Sequence, residues 1–459
     1  MLRFKNILPV CLFSLGLCFC NMDSLIIKPE LSFEYFSSGS IHNTTNNNNT
    51  KIAALGLEVS KTTREWSVFG SFKFTTASNF DLISTYVNPD LSFEHARKYI
   101  NSDNTWYESS SLLVRNEKNK FFNWFFGKNN FHWGSGESSL ILSRNCPTFP
   151  MVGFDWQVSS KLEMSYFLAS LSSQIEDTTN NINRNYDGRK LYIPRSVAGH
   201  KVDYHLTNQL KLSAMEIVIF GNRKIDENYL LPFIPFWSMQ HYIGDIDNVQ
   251  LCGEISWTSI NKNLSIHASI FIDEWRPEWT FKDKNRNWFG YLVGVNSKDI
   301  ILPKDNLKIE YTWTDHRIYR HKFKINSSYT YDYPIGFWAG PHSEYLLARY
   351  FLMRNDITFR FDFSFLKRGE LTQAMIENQY NDMKQNDERY NNLSEERLLF
   401  GLNLFKSYFD KKVKTKIGLE WIGWLNAGFD PHAAYATSKE IQKLSINLSL
   451  TSSTDLIFN

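Results

Sequence analysis

The chain has 459 residues, of which 36 are Phe, 22 Tyr and 14 Trp, so it has ample apolar surface to bury and is not intrinsically disordered. Its mean hydropathy is −0.36 and no run of about 18 apolar residues follows the N-terminus, which excludes a bundle of transmembrane helices. With 50 Lys plus Arg against 48 Asp plus Glu there is no broad basic footprint, and nucleic acid is excluded as a partner.

In chain order, Arg3 and Lys5 precede an apolar stretch from Ile7 to Cys20, the charged and hydrophobic regions of a secretory signal. Residues 1–20 are expected to be removed after Cys20. Bulky Leu17 and Phe19 fit poorly with lipoprotein processing at that cysteine. Residues 21–459 are expected to form one domain. It keeps Cys146 and Cys252, which sequence leaves as either one disulfide or two buried thiols. No Cys-x-x-Cys or His/Cys spacing points to a metal, and no cofactor is called for.

Residues 41–51, with the run Asn46 to Asn49, read as a loop. Trp66, Val68, Gly70, Phe72 and Phe74 then alternate with Ser67, Ser71 and Lys73, a period of two that marks a strand between two different environments. Leu91 to Asn101 is a weak helical candidate at one barrel end. Further ladders are Leu264, Ile266, Ala268, Ile270 and Ile272; Leu307, Ile309, Tyr311 and Trp313; Ile357, Phe359, Phe361, Phe363 and Phe365; and Val413, Thr415, Ile417, Leu419 and Trp421. Residues 370–397 lack Pro and Gly and read as a long polar loop with a short helix. Leu444, Ile446, Leu448 and Leu450, then Leu456 and Phe458, read as a closing strand.

A soluble β-sandwich would show the same alternation. The signal, the ladder length of about ten residues and aromatics near strand ends (Trp313, Trp421, Trp424) instead favour a closed, all-β, antiparallel barrel in a membrane. At about 10 residues per strand plus turns, the chain makes about 16 to 18 strands, with small helical segments in loops or near the N-terminal end. The Lys, Arg, Asp and Glu members of the ladders are expected to line the lumen.

The most distinctive segment runs from Gly127 through Trp133-Gly134-Ser135-Gly136-Glu137 and Ser143-Arg144-Asn145-Cys146-Pro147 to Pro150. It resembles the motif of the Wzi-like capsule assembly proteins, departing from it at Cys146. Weaker patches follow in order: Gly199-His200 to Glu216 and Gly221, Pro232 to Asp247-Asn248, Glu254, Asp273-Glu274, and Gly336 to Gly340-Pro341. The resemblance implies a bacterial outer-membrane barrel, not an enzyme, that assembles or retains capsular or other surface polysaccharide as a monomer in outer-membrane lipid. On that reading the glycan-binding candidates are Trp133, Glu137, Arg144, Asn145, Asp247 and Asn248. Aromatic faces pack on sugar rings, and Asp, Asn and Arg bond hydroxyls or pair with uronates. Gly127, Gly134, Gly136, Pro147, Gly340 and Pro341 would supply the framework.

Each candidate also has a structural reading: Gly134 and Gly136 permit a tight bend, Trp133 anchors an interface, and Asp247 and Asn248 form a turn near Gly244. No catalytic residue is singled out. There is no Gly-Lys-Ser/Thr and no Gly-x-Ser-x-Gly; Asp273 and Glu274 point to opposite faces of a strand and would be a strand end meeting water; and the eleven histidines show no ligand pair. The alternative function is a porin for passive or selective diffusion, for which mixed-charge inward faces are equally suited. A barrel enzyme is the third reading.

Overall fold

The computed structural model describes residues 24–38, 48–79, 95–98, 104–180, 190–223, 225–279, 287–372, 375, 389–390, 393–427, 429 and 439–458. The expected signal segment, most of the 370–397 loop with its expected helix, and most of the 91–101 candidate lie outside them. Within the last, His95–Lys98 is a short strand and not helical.

Eighteen antiparallel strands close into one barrel. They are β1 (Leu25–Phe36), β2 (Thr50–Thr62), β3 (Trp66–Ser78), β4 (Asn104–Asn116), β5 (Phe122–Asn129), β6 (Phe149–Gln157), β7 (Leu162–Glu176), β8 (Tyr192–His205), β9 (Leu210–Gly221), β10 (Asn248–Thr258), β11 (Leu264–Glu274), β12 (Trp288–Lys298), β13 (Asp305–Thr314), β14 (Ser343–Arg354), β15 (Ile357–Gly369), β16 (Ser394–Tyr408), β17 (Val413–Leu425) and β18 (Glu440–Ser453). Each pairs with its chain neighbour, and β1 pairs with both β2 and β18. The short strand Leu456–Phe458 continues β18 along β1. Connections alternate strictly: short turns such as 355–356 and 206–209 gather at one end, and long loops such as 130–148, 222–247 and 315–342 at the other. In outer-membrane barrels the long loops lie outside the cell and the short turns in the periplasm.

The ladders set the two faces. Leu31, Leu55, Ile255, Ile309, Phe361, Ile417 and Leu444 stand exposed on the outer wall, while Asp362, Asn403, Glu254 and Glu310 on the intervening positions turn inward. Trp66, Trp124 and Trp257 rim the short-turn end of this apolar band, and Tyr291, Tyr311 and Trp313 the long-loop end. A closed wall with an apolar outer band and aromatic rims is an outer-membrane β-barrel in contact with lipid. Trp424 departs from the expected rim: it turns inward, is fully buried, and its indole donates to Glu395 at 2.9 Å.

Two long loops fold into the barrel and build its core. Trp133, Leu140, Ile141 and Leu142 of loop 130–148, together with Ile318, Tyr319, Ile335 and Phe337 of loop 315–342, bury themselves against Phe167, Ile217, Phe271 and Leu366 on the inner wall. The Tyr319 hydroxyl ties the loops together, donating to Leu140 O and accepting from Phe337 N. Arg195 on β8 donates to the carbonyls of Lys324, Ile325 and Tyr329. Cys146 and Cys252 are buried free thiols in the same core.

A third long loop takes the opposite route. Residues 222–247 turn outward, and Tyr229 and Phe236 pack on Tyr166, Leu168, Ala198, Val218 and Phe220, the outward-facing members of β7–β9. The helix α1 (Phe236–Tyr242) belongs to this loop. His200 and Glu216, whose side chains meet at 2.8 Å beneath it, face outward.

Gly127 tests the wall where loop 130–148 begins. A Cβ there would lie 1.9 Å from the Leu112 carbonyl on β4, with the backbone at φ +156°. Gly127→Ala is expected to destabilise the barrel by about 2 kcal/mol or more, read as a lower urea midpoint and loss of the compact, heat-modifiable gel band.

Candidate functional site

The inward loop reaches the wall through its Gly134-Ser135-Gly136 bend. Glu254 on β10 accepts from Ser135 N at 3.0 Å and Ser135 Oγ at 2.6 Å, and also from Ser269 Oγ at 2.9 Å. Glu310 on β13 accepts from Glu137 N at 2.7 Å and Ser138 N at 2.8 Å, with His267 Nε2 3.6 Å away. The glycines make this approach possible. A Cβ on Gly136 would lie 2.6 Å from Glu310 Oε2, and one on Gly134, whose φ is +122°, 3.1 Å from Glu254 Oε2. Inside the loop, Trp133 N donates to Leu142 O at 2.9 Å and Ser139 Oγ to Trp133 O at 2.6 Å, so the turn arrives as a preformed unit.

Below the bend lies a polar cavity of about 850 Å³, running from the loop down to the β8–β9 turn. Its basic side chains are Arg144, Lys211, Lys308 and Arg349; its acids are Glu137 and Glu310. Glu137 sits between two cations, 3.1 Å from Lys308 Nζ and 2.9 Å from Arg349 Nη1. The row continues through Asp362, which accepts from Arg349 Nε at 2.8 Å and from Arg360 Nε at 2.7 Å. Alternating charges therefore cross the inner wall from β13 to β15. Burial pushes the Glu137 carboxyl up, but Arg349 and Lys308 more than offset it, and the net effect holds its pKa below the usual glutamate value.

The six candidates divide. Glu137, Arg144 and Asn145 line the cavity. Trp133 does not: it is 7% exposed and meets Phe167 edge-on at 5.3 Å. Asp247 and Asn248 also lie away from it. Asp247 accepts from Arg223 and from Tyr229 Oη, and Asn248 Nδ2 donates to Asn326 O at 3.0 Å, so both hold loops together. Among the framework residues, Gly340 has a φ of +75° and its carbonyl accepts from Thr314 Oγ1 and Ser343 Oγ, while Pro147 and Pro341 are buried in the two inward loops. Asp273 is not a strand end in water. It is buried, and accepts from Gln250 Nε2 and Tyr319 N. Lys308, Glu310 and Arg349 were not singled out as site residues; Lys308 and Glu310 alternate with the Leu307-to-Trp313 ladder and so were expected to face the lumen, Arg349 lies in a strand outside the ladders named above, and nothing local to the three marks which loop they meet.

No family model matches the chain, and no curated protein matches it. Solved structures do. Acinetobacter baumannii OccAB4 aligns over 95% of this chain and 99% of its own, at 7% identity and a TM-score of 0.51. Pseudomonas aeruginosa OpdK, crystallised with vanillate, aligns over 95% and 100%, at 8% identity and a TM-score of 0.51. A third, A. baumannii OccAB2, aligns over 95% and 99%, at 8% identity and a TM-score of 0.50. All three are Occ-type outer-membrane porins, and what this chain shares with them is the fold. This overturns the resemblance to Wzi-like proteins, which form a different family of eighteen-stranded barrels, and with it the role in capsule or surface polysaccharide assembly. The motif behind that resemblance consists of what any inward-turning loop needs: glycines where carboxylates approach the backbone, and an indole to bury.

Glu310 is the tightest tether of the loop. Glu310→Ala leaves two buried backbone N–H groups without an acceptor and is expected to cost about 2–3 kcal/mol. Urea unfolding should register the loss, and limited proteolysis should begin to cut within residues 134–139 while the strands stay intact.

Proposed function

We propose that the protein is an outer-membrane porin that passes small hydrophilic solutes through a lumen narrowed by loop 130–148. The observation that carries the reading is Glu137, fixed by its loop between Lys308 and Arg349 at the edge of the polar cavity. An inward loop that presents charge to an opposing charged wall sets both the width of a pore and the sign of what crosses it. Of the two acids lining the cavity, Glu310 is occupied with backbone N–H groups of the loop and Glu137 with Lys308 and Arg349, while the Arg144 and Lys211 side chains have no hydrogen bond or ion pair among the described residues and face the cavity. The balance favours small anionic or zwitterionic solutes. The vanillate in the OpdK crystal is a solute of that kind, bound to that protein. One chain closes its own wall, so a monomer suffices.

Planar-bilayer recording tests this. A small, steady conductance is expected from the purified protein, and silence at every voltage overturns the reading. Glu310→Ala, which loosens the constriction, should raise the unit conductance. Glu137→Gln leaves Lys308 and Arg349 without their carboxylate and should move the reversal potential in a salt gradient towards anions, while the double replacement of Lys308 and Arg349 by Gln should move it towards cations.

The pH dependence has a definite sign. The Glu137 pKa is lowered from the ordinary value of 4.5, so the carboxylate stays charged as pH falls through that value. The difference in ion selectivity between the parent chain and Glu137→Gln, which isolates this carboxylate from the other ionisable groups of the cavity, should therefore stay constant from neutrality to pH 4.5 and shrink only below it.

A further inference from the structure

Loop 222–247 contains an eleven-residue run without charge, Tyr229-Leu-Leu-Pro-Phe-Ile-Pro-Phe-Trp-Ser-Met239, flanked by Arg223, Asp226 and Glu227 on one side and His241, Asp245 and Asp247 on the other. Both ends of the loop start from the long-loop end of the barrel, at Gly221 and Asn248. From there the run descends over the outer wall. The ring of Phe236 lies 4.4 Å from that of His200, and Phe233 lies 5.9 Å from Trp156, one residue before the end of β6 at the short-turn rim. The loop thus crosses the lipid-facing wall of β6–β9 almost from end to end.

We propose that this loop is a strap embedded in the hydrocarbon of the outer membrane, its outer surface covered by lipid acyl chains. Three observations carry the proposal. First, the side chains it turns away from the barrel are apolar: Leu230, Leu231, Ile234, Trp237 and Phe233, the last 67% exposed. They continue the exposed band formed beside them by Val152, Leu212, Ile255 and Trp257, all on the lipid-facing wall. A cluster of this size and composition in water would be an aggregation liability.

Second, the backbone is furnished for a medium without water, where each unpaired N–H or C=O is costly. Pro232 and Pro235 have no N–H. Glu216 accepts from Phe236 N at 2.8 Å and Trp237 N at 2.7 Å, the first donors of the helix. Ile234 N donates to Leu231 O, Ser238 N and Met239 N donate to Pro235 O, and Tyr166 Oη donates to Tyr229 O. Third, the strap covers the His200–Glu216 pair, whose side chains are 14% and 5% exposed, and so keeps two polar, ionisable groups on the outer face of the strands out of contact with acyl chains.

The inference concerns the wall and is independent of what crosses the lumen. Its test is spin labelling at Leu231→Cys and Phe233→Cys in phosphatidylcholine vesicles, with Thr178→Cys, exposed just beyond β7, as the aqueous control and the parent chain without residues 1–20, whose Cys146 and Cys252 are buried, as the blank. Collision of the label with molecular oxygen and with a water-soluble nickel chelate is then measured. At the strap positions oxygen should exceed nickel severalfold, with the reverse at Thr178→Cys. Nickel dominance at the strap would place it in water and overturn the proposal. Suppression of both quenchers would place a second copy or another protein over it, and overturn it equally. Should a cysteine variant fail to fold, the fluorescence difference between the parent chain and Trp237→Phe in acyl-brominated phosphatidylcholine reads the same question. Strong quenching of that difference signal is expected, and its absence would sink the idea.

Discussion

A backbone N–H that cannot reach water must find an acceptor in the protein, and that constraint shapes every part of this barrel. In the wall it is met by pairing each strand with two neighbours, which forces closure. In the loops it is met by three glutamates projecting from the strands: Glu254 and Glu310 inward, Glu216 outward. Each accepts backbone donors from a turn that has left the strand ladder. A carboxylate suits this work because it offers two acceptor atoms and a charge that strengthens both bonds. The same device therefore holds one loop inside the barrel and another against its outer face.

The placement of these glutamates explains how the polar interior is organised. Had the inward loop brought its own acceptors, its charge would be consumed within the turn. Because the wall supplies them, Glu137 is left to face Lys308 and Arg349, and Arg144 to face the cavity. The inner apolar core, from Trp133 to Phe337, fixes the height and angle at which that charge is presented. The apolar residues thus do positional work and the polar ones chemical work, on one segment of nineteen residues spanning 130–148.

Much of the wall was legible in the sequence. The Phe359-to-Phe365 ladder and its counterparts announce strands with one greasy and one polar face, and their number announces a barrel, because period-two alternation is a local property. The loops were not legible, because their positions are set by contacts across great chain distances: 119 residues from Ser135 to Glu254 and 172 from Ser138 to Glu310. Nothing near Trp133 says whether its indole meets a ligand or Phe167. The Gly134-Ser135-Gly136 bend was readable as a close backbone approach, but its partner was not, and that gap let the segment pass for a family motif. The run from Leu230 to Trp237 carried a usable signal, being apolar and uncharged inside a loop bounded by charges. Without period-two alternation it did not register as a strand, and it was too short to register as a span.

The pairing of β1 with β18 has a temporal consequence. Ile446 N donates to Ser37 Oγ across 409 residues, and Leu25 faces Phe458. Contacts of such sequence separation carry a large loop-closure cost and form late. Until they form, β1 and β18 both present open edges, and the intermediate can add a strand from any other unfinished chain. The wall therefore cannot be completed progressively as the polypeptide emerges. The chain must be kept from pairing prematurely until both edges are present together, and the commitment to a finished barrel is made in a single final step.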